Sequence, residues 1–259
     1  MALGKLGGVE LNYSSDIDLV FLYEAPRGAS GREHAAAEWC DRVARETIKL
    51  LADSTESGVA YRVDMRLRPH GSAGMLATSV EAALAYYDSS GRTWERQAFV
   101  KARPIAGDLE LGAEFLSRLE PWIYRRYLST ADIVGIRGLK RRIEQRTQRE
   151  GQDARNVKTG HGGIRDIEFV IQFLQLLNGG DLPALRSGNT LDALARLEET
   201  GCLTPQEGPL LGENYRFLRR VEHRLQMLFD LHTHLLPDDS EALGRLAVRL
   251  GYAQAPGAT

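Results

Sequence analysis

The chain has little cysteine: Cys40 and Cys202 are the two in 259 residues, far apart and outside any Cys-x-x-Cys spacing. That excludes a disulfide framework and a thiolate zinc site, and leaves both as small apolar side chains. It has no run of about 18 apolar residues and no basic leader before an apolar stretch, so neither a membrane span nor a secretory signal is expected. It also lacks an excess of charge of either sign. The 33 basic and 35 acidic side chains leave a formal charge of -2, which gives no general attraction to a polynucleotide backbone. Internal repeats and low-complexity segments are missing too. A cytoplasmic protein with no membrane and no nucleic acid among its partners is the expectation.

What is there is 43% hydrophobic and long enough for one large domain or two ordinary ones. Leu19 to Tyr23 form a continuous apolar run after Asp16-Ile17-Asp18, predicting a central strand from Asp16 to Tyr23. A Pro-Arg-Gly-Ala-Ser-Gly loop then leads into a helix over 33–51, with Trp39, Val43, Thr47 and Leu50 at helical spacing. Val59 to Arg68 alternates: Val63, Met65 and Leu67 point one way, Arg62, Asp64, Arg66 and Arg68 the other. Thr78 and Glu81 form a capping-box pair ahead of a helix over 79–88, and 94–100 is a second short helix. Beyond about Gly107 the pattern becomes almost wholly helical, with helices over 110–128, 131–150, 164–178, 190–200, 206–230 and 239–250. The domains predicted are therefore 1–107 and 108–259.

The chemistry concentrates at "GKLGGVELNYSSDIDLVFLY", residues 4–23. On an extended chain residues two apart share a face, so Asp16 and Asp18 project together while Ile17 and Leu19 turn inward. Two carboxylates on one space repel unless a cation lies between them, and hard oxygen donors suit magnesium or manganese. Asp64 on the second strand adds a third, the number commonly needed to hold two ions for displacement at phosphorus. Arg62, Arg66 and Arg68 share its face and can neutralise phosphate oxygens. Gly4, Gly7 and Gly8 let backbone amides approach a phosphate, and Lys5 adds a point charge. A lone Asp-x-Asp is common on solvated strand edges. It also serves glycosyltransferases as a metal motif, but there it stands at a strand end rather than after a glycine loop.

Gly4-Lys5, Gly7 and Ser15-Asp16-Ile17-Asp18-Leu19 together resemble the signature of the polymerase-beta-like nucleotidyltransferases. With "YRVDMRLRPHGSAG", "WERQAFVKARPIAGD" and "KTGHGGIRDIEFVIQFLQL" in that order, the whole chain resembles the glutamine synthetase adenylyltransferases, also called glutamate-ammonia-ligase adenylyltransferases. The resemblance implies an α+β nucleotidyltransferase domain with a twisted mixed or antiparallel sheet, followed by an all-α helical bundle. It implies Asp16, Asp18 and Asp64 as catalytic metal ligands for Mg2+ or Mn2+. Gly4, Lys5, Gly7, Ser15, Arg66, Arg68, Lys101 and Arg103 would bind nucleotide and phosphate, although Lys5 stands where many of the wider superfamily have serine. Larger members of the family pair two such units: one attaches AMP from ATP to a tyrosine of glutamine synthetase, and the other removes it by phosphorolysis, releasing ADP. "EPWIYRRYL", "IRGLKRRIE" and the Gly-Gly-Ile form of "GGIRDIEF" are similar to the N-terminal, deadenylylating unit. The alternatives are adenylylation with ATP and a silent module that docks glutamine synthetase or a PII-type regulator. Family chains carry a substantial segment before the glycine loop, so a chain with Met1 against the site is expected to be a fragment or an early-start product.

Four features outside that core remain. Trp94, Glu95 and Arg96 are expected on a surface helix with Trp94 buried, or as part of a phosphate site. Arg165, Glu168, Gln172 and Gln175 form a polar stripe expected to face a cleft or a domain interface, or else to hide an Arg-Glu pair. Leu218, Val221, Leu225 and Leu228 form a core seam, with Arg216, Arg219, Arg220, His223 and Arg224 on other faces, either solvated or forming a phosphate or docking patch. His232-x-His234 lacks a third ligand and is expected to be structural.

Overall fold

A computed structural model describes residues 1–25, 30–56, 58–125, 154–229 and 233–252, with scattered positions between 134 and 149. A mixed α+β region with two small sheets is followed by a mostly helical part. The chain forms two compact units. The first comprises Met1–Leu11, Ser15–Ser129 and Gln175–Ala193, and the second Asn12–Ser14, Thr130–Leu174 and Leu194–Thr259. The expected divide at 107 thus falls inside the first unit.

In the first unit β1 (Ala2–Leu3) runs straight into a single helical turn, α1 (Gly4–Gly7). β2 (Asp16–Leu19) lies between β1, to which it is antiparallel, and β4 (Arg62–Asp64), to which it is parallel. The apolar run expected as one strand is two. β3 (Phe21–Tyr23) belongs to a second sheet, parallel to β5 (Ala77–Ser79), and Val20 between them accepts a hydrogen bond from the Met1 amino group at 2.9 Å. Ala2, Ile17, Leu19 and Met65 form the core under the first sheet, with Leu6, Leu11, Ile48 and Leu51 packed on it. Ile17 and Leu19 are buried and Asp16 and Asp18 half-exposed, as the two-residue period requires.

Helix α2 (Ser30–Ala52) presents another face to this core than its spacing suggested. Asp41 and Ala44 are buried with Ile48 and Leu51 on the same stripe, while Trp39, Val43 and Leu50 are exposed. Asp41 explains the rotation: its carboxylate accepts from the Leu76 amide at 2.9 Å and from Arg45 at 2.6 Å, so a polar anchor decides which stripe turns inward. Helix α3 (Val80–Ser90) is capped by Ser79, whose hydroxyl accepts from the Ala82 amide, one residue later than the predicted Thr78.

Helix α4 (Thr93–Phe99) is not the surface helix expected. Glu95, Arg96 and Gln97 are buried and Trp94 only half so. Glu95 accepts from the Tyr86 hydroxyl at 2.9 Å and the Arg92 amide at 2.8 Å, and the Arg96 guanidinium lies over the Trp122 ring. Tyr87, Phe99, Phe115 and Trp122 cluster beside it, joining α3 and α4 to α5 (Leu109–Ile123).

Helix α6 (Ile164–Asn178) matches its predicted span. Its polar stripe is divided in role: Gln175 is buried in the first unit and donates to the Leu185 and Ser187 carbonyls, whereas Glu168 in the second accepts from Tyr215 at 3.3 Å. Helices α7 (Thr190–Glu199), α8 (Glu207–Phe229) and α9 (Ser240–Arg249) follow. Thr204 and Glu207 bond reciprocally, the capping box legible in the sequence. In the second unit Val157, Val221, Leu225 and Leu246 form the core, with Leu218 packed on it, so the α8 seam is as read as far as it is described. The Leu228 side chain, His232 and most of the helix expected over 131–150 lie outside what is described.

Candidate active site

The register of β2 and β4 sets the site. Asp18 is the Cα partner of Asp64, and Asp16 that of Arg62. Neighbouring strands lie about 4.8 Å apart and residues two apart on a strand share a face, so all three carboxylates leave adjacent positions on one side of the sheet. The Asp18 carboxylate reaches back against Gly4: a Cβ at Gly4 would collide with its Oδ2, and Gly4 adopts φ +53°, where an L side chain is strained. Carboxylates and glycine turn therefore meet within one β1-α1-β2 unit.

Arginines answer the charge. Arg62 Nε donates to Asp16 Oδ1 at 2.6 Å, and Arg66 donates through both its backbone amide and its guanidinium to Asp64, at 2.5 to 3.0 Å. The side-chain hydrogen bonds from Arg66 hold the Asp64 carboxyl below its usual range, against the opposing effect of burial. Arg66 is in turn pushed up, first by its bond to Asp64 and further by the fields of Asp18 and Asp16, so one cationic group feels all three carboxylates. As the side chains stand, no three His, Cys, Asp or Glu residues among those described converge closely enough to hold a metal ion. The donor chemistry and register suit a divalent cation nonetheless. Asp16 is tied to a half-exposed arginine and Asp64 to an exposed one, and exposed ion pairs of this kind are worth only about 0–1 kcal/mol.

The other predicted residues fall into two groups. Lys5 lies on α1 and Ser15 is buried immediately before β2. Arg68, Lys101 and Arg103 do not present their charges to the carboxylates. The Arg68 guanidinium donates to the carbonyls of Met65, Ser72, Gly74 and Met75, because β4 ends at Asp64 and the chain winds around this side chain. Lys101 is buried in an ion pair with Glu10 at 2.6 Å and donates to Thr190 Oγ1 at 2.9 Å. Arg103 donates to the Gly7 and Leu6 carbonyls at the end of α1. Gly7 itself packs against the Lys101 carbonyl with no room for a Cβ. The "KAR" motif thus braces the glycine turn from behind. Glu10, which also accepts from the Thr190 amide, carried no local signal, since its partners stand 91 and 180 residues away.

In the second unit Glu222 is wholly buried among Asn12, Arg219 and His234. Sequence reading missed it; its place between Val221 and Leu225, three residues after Arg219, was the available sign.

Residues 1–118 match the family model described as Glutamate-ammonia ligase adenylyltransferase, and residues 137–259 the model described as GlnD PII-uridylyltransferase. The chain is 47% identical over 252 residues to the bifunctional glutamine synthetase adenylyltransferase/adenylyl-removing enzyme of Xanthomonas campestris pv. campestris, a match covering 97% of this chain and 27% of that protein. It is 48% identical over 252 residues to the like-named protein of Stenotrophomonas maltophilia, with 96% and 27% covered. The corresponding figures for that of Brucella suis biovar 1 are 44% over 255 residues, with 98% and 26% covered. The chain spans about a quarter of the length of these relatives, and over nearly all of its own length it belongs to the glutamate-ammonia-ligase adenylyltransferase family.

Proposed function

We propose that this chain removes AMP from an adenylylated tyrosine of glutamine synthetase by phosphorolysis, with inorganic phosphate attacking the AMP phosphorus and ADP leaving. The observation that carries the reading is the pairing of Asp18 with Asp64 in parallel strands, with Asp16 on the same face and the Gly4 turn against Asp18. Kinship with relatives named bifunctional glutamine synthetase adenylyltransferase/adenylyl-removing enzyme supports the chemistry. The Gly-Gly-Ile form of "GGIRDIEF" supports the direction.

The bond from phosphorus to the tyrosyl oxygen breaks, a bond from phosphorus to a phosphate oxygen forms, and the tyrosyl oxygen ends as the free phenol. Asp16, Asp18 and Asp64 would hold the divalent ions, Mg2+ or Mn2+. Bound there, these would supply charge stabilisation to the tyrosyl oxygen and the transferring phosphoryl group. Arg62 and Arg66, exchanged off their carboxylates, are then free to meet phosphate oxygens with two parallel donors each. Gly4, having no Cβ, lets the Asp18 carboxylate close on the turn, and Lys5 adds a point charge. None of these steps needs a covalent enzyme intermediate. Docking of a PII-type regulator belongs to the same proposal.

Incubation with adenylylated glutamine synthetase, magnesium and phosphate tests this: ADP release that Asp16→Ala abolishes is expected. Incorporation of AMP from ATP into unmodified synthetase without ADP release in the first assay would reverse the direction. A folded chain inactive in both assays would make it a binding module.

A further inference from the structure

Helix α8 carries a second concentration of charge within the second unit. Arg219, Arg220, His223 and Arg224, together with Asn12, line a cavity of about 340 Å³, with no acidic side chain among the described residues of its wall. That is within the range of roughly 300–1,000 Å³ typical of small-molecule sites. Buried Glu222 answers part of the charge: its carboxylate accepts from Arg219 at 2.8 Å and from Asn12 at 2.5 Å and pairs with His234 at 3.0 Å. These bonds also fix the wall, since Arg219 is held by Glu222 and lies over the Tyr215 ring. Arg220 and Arg224 are spaced i,i+4, where like charges repel, and among the described residues neither is paired with a carboxylate. Arg224 Nη1 lies 4.0 Å from the Met227 sulfur. A helix that sets three guanidinium groups and an imidazole around one cavity, and neutralises only one side of it, is built for an anion with several oxygens. Tyr13 stands edge-on to His223 and is 73% exposed as a residue, offering a flat surface beside the cavity.

We propose that this cavity binds the phosphate group of a small molecule, held by Arg220 and Arg224 with Arg219 and His223. The residues that line it are other than Asp16, Asp18 and Asp64, and holding a phosphate there does not depend on metal. Free phosphate and a mononucleotide share this chemistry, and Tyr13 distinguishes them by stacking on a base.

The test is calorimetric titration of the full chain with inorganic phosphate and, separately, with AMP, both in EDTA so that binding through a divalent ion is removed. Both are expected to bind the native chain, and R220Q combined with R224Q to weaken both by at least about tenfold with the thermal midpoint unchanged. Weakening of AMP alone by Y13A assigns the site to a nucleotide, and no effect of Y13A assigns it to free phosphate. Absence of binding, or binding unchanged in the double variant, overturns the proposal. Should that variant fail to fold, modification of the native chain by phenylglyoxal, read by mass spectrometry, replaces it. Protection of Arg220 and Arg224 by phosphate is expected, and modification at an unchanged rate refutes the site.

Discussion

Asp16 and Asp18 alternate with Ile17 and Leu19, so the residues that would do chemistry and the residues that hold the strand share one stretch of chain without sharing a face. Asp16→Ala and Asp18→Ala should therefore remove adenylyl transfer by more than the roughly 10- to 100-fold that loss of an outer-shell partner costs. Melting of each variant should show no more than about 1 kcal/mol of change, because the Asp16 partner Arg62 is itself half-exposed. Gly4→Ala should behave otherwise, losing activity together with local order, since the added Cβ meets Asp18 and φ is positive. This much was legible in the sequence: an alternating Asp-Ile-Asp-Leu and a glycine ahead of it leave little choice of face. The fates of Arg68, Lys101 and Arg103 were not. A cation read as facing phosphate is equally able to cap carbonyls or pair with a carboxylate brought in from far along the chain. Glu10, 91 residues from Lys101, gave no sign of itself.

At the scale of elements, the buried Lys101 and Glu10 pair ties the segment after α4 to the strand-bound glycine turn and to the start of α7. Lys101→Met leaves Glu10 charged and uncompensated in the interior, and denaturant melts should show a loss of about 3–5 kcal/mol. The doubly altered K101M/E10Q should recover part of that, because the stranded charge is gone. At the start of α8 the reciprocal bonds with Thr204, backbone first, hold Glu207 below its ordinary 4.5. A folded-state value that is depressed contributes stability above the ordinary value and loses it as pH falls through the folded one. Thr204→Ala removes the hydroxyl bond and keeps the backbone amide, so it should raise the Glu207 pKa only part of the way toward 4.5 in an NMR titration and reduce the acid-side sensitivity of this helix start. Helix boundaries were largely readable because caps such as Thr204 and Glu207 are local. The inward face of α2 was not, because Asp41 is anchored by the Leu76 amide 35 residues away, which turns Trp39, Val43 and Leu50 outward. The strand from Asp16 to Tyr23 was over-long for the same reason: its break at Val20 is made by pairing with distant β1 and β5.

In the molecule as a whole, a sheet sets three acidic side chains on neighbouring positions within a chain homologous with a quarter of a bifunctional enzyme. The three carboxylates together are to take divalent cations as Asp16 and Asp64 release Arg62 and Arg66. Crystals of the chain soaked in manganese, read by anomalous scattering, test this most directly. Manganese coordinated by oxygens of Asp16, Asp18 and Asp64, with Arg62 and Arg66 swung away, is the predicted result. Crystals saturated with manganese in which Asp16 and Asp64 keep their arginines and the three carboxylates hold no metal would contradict it.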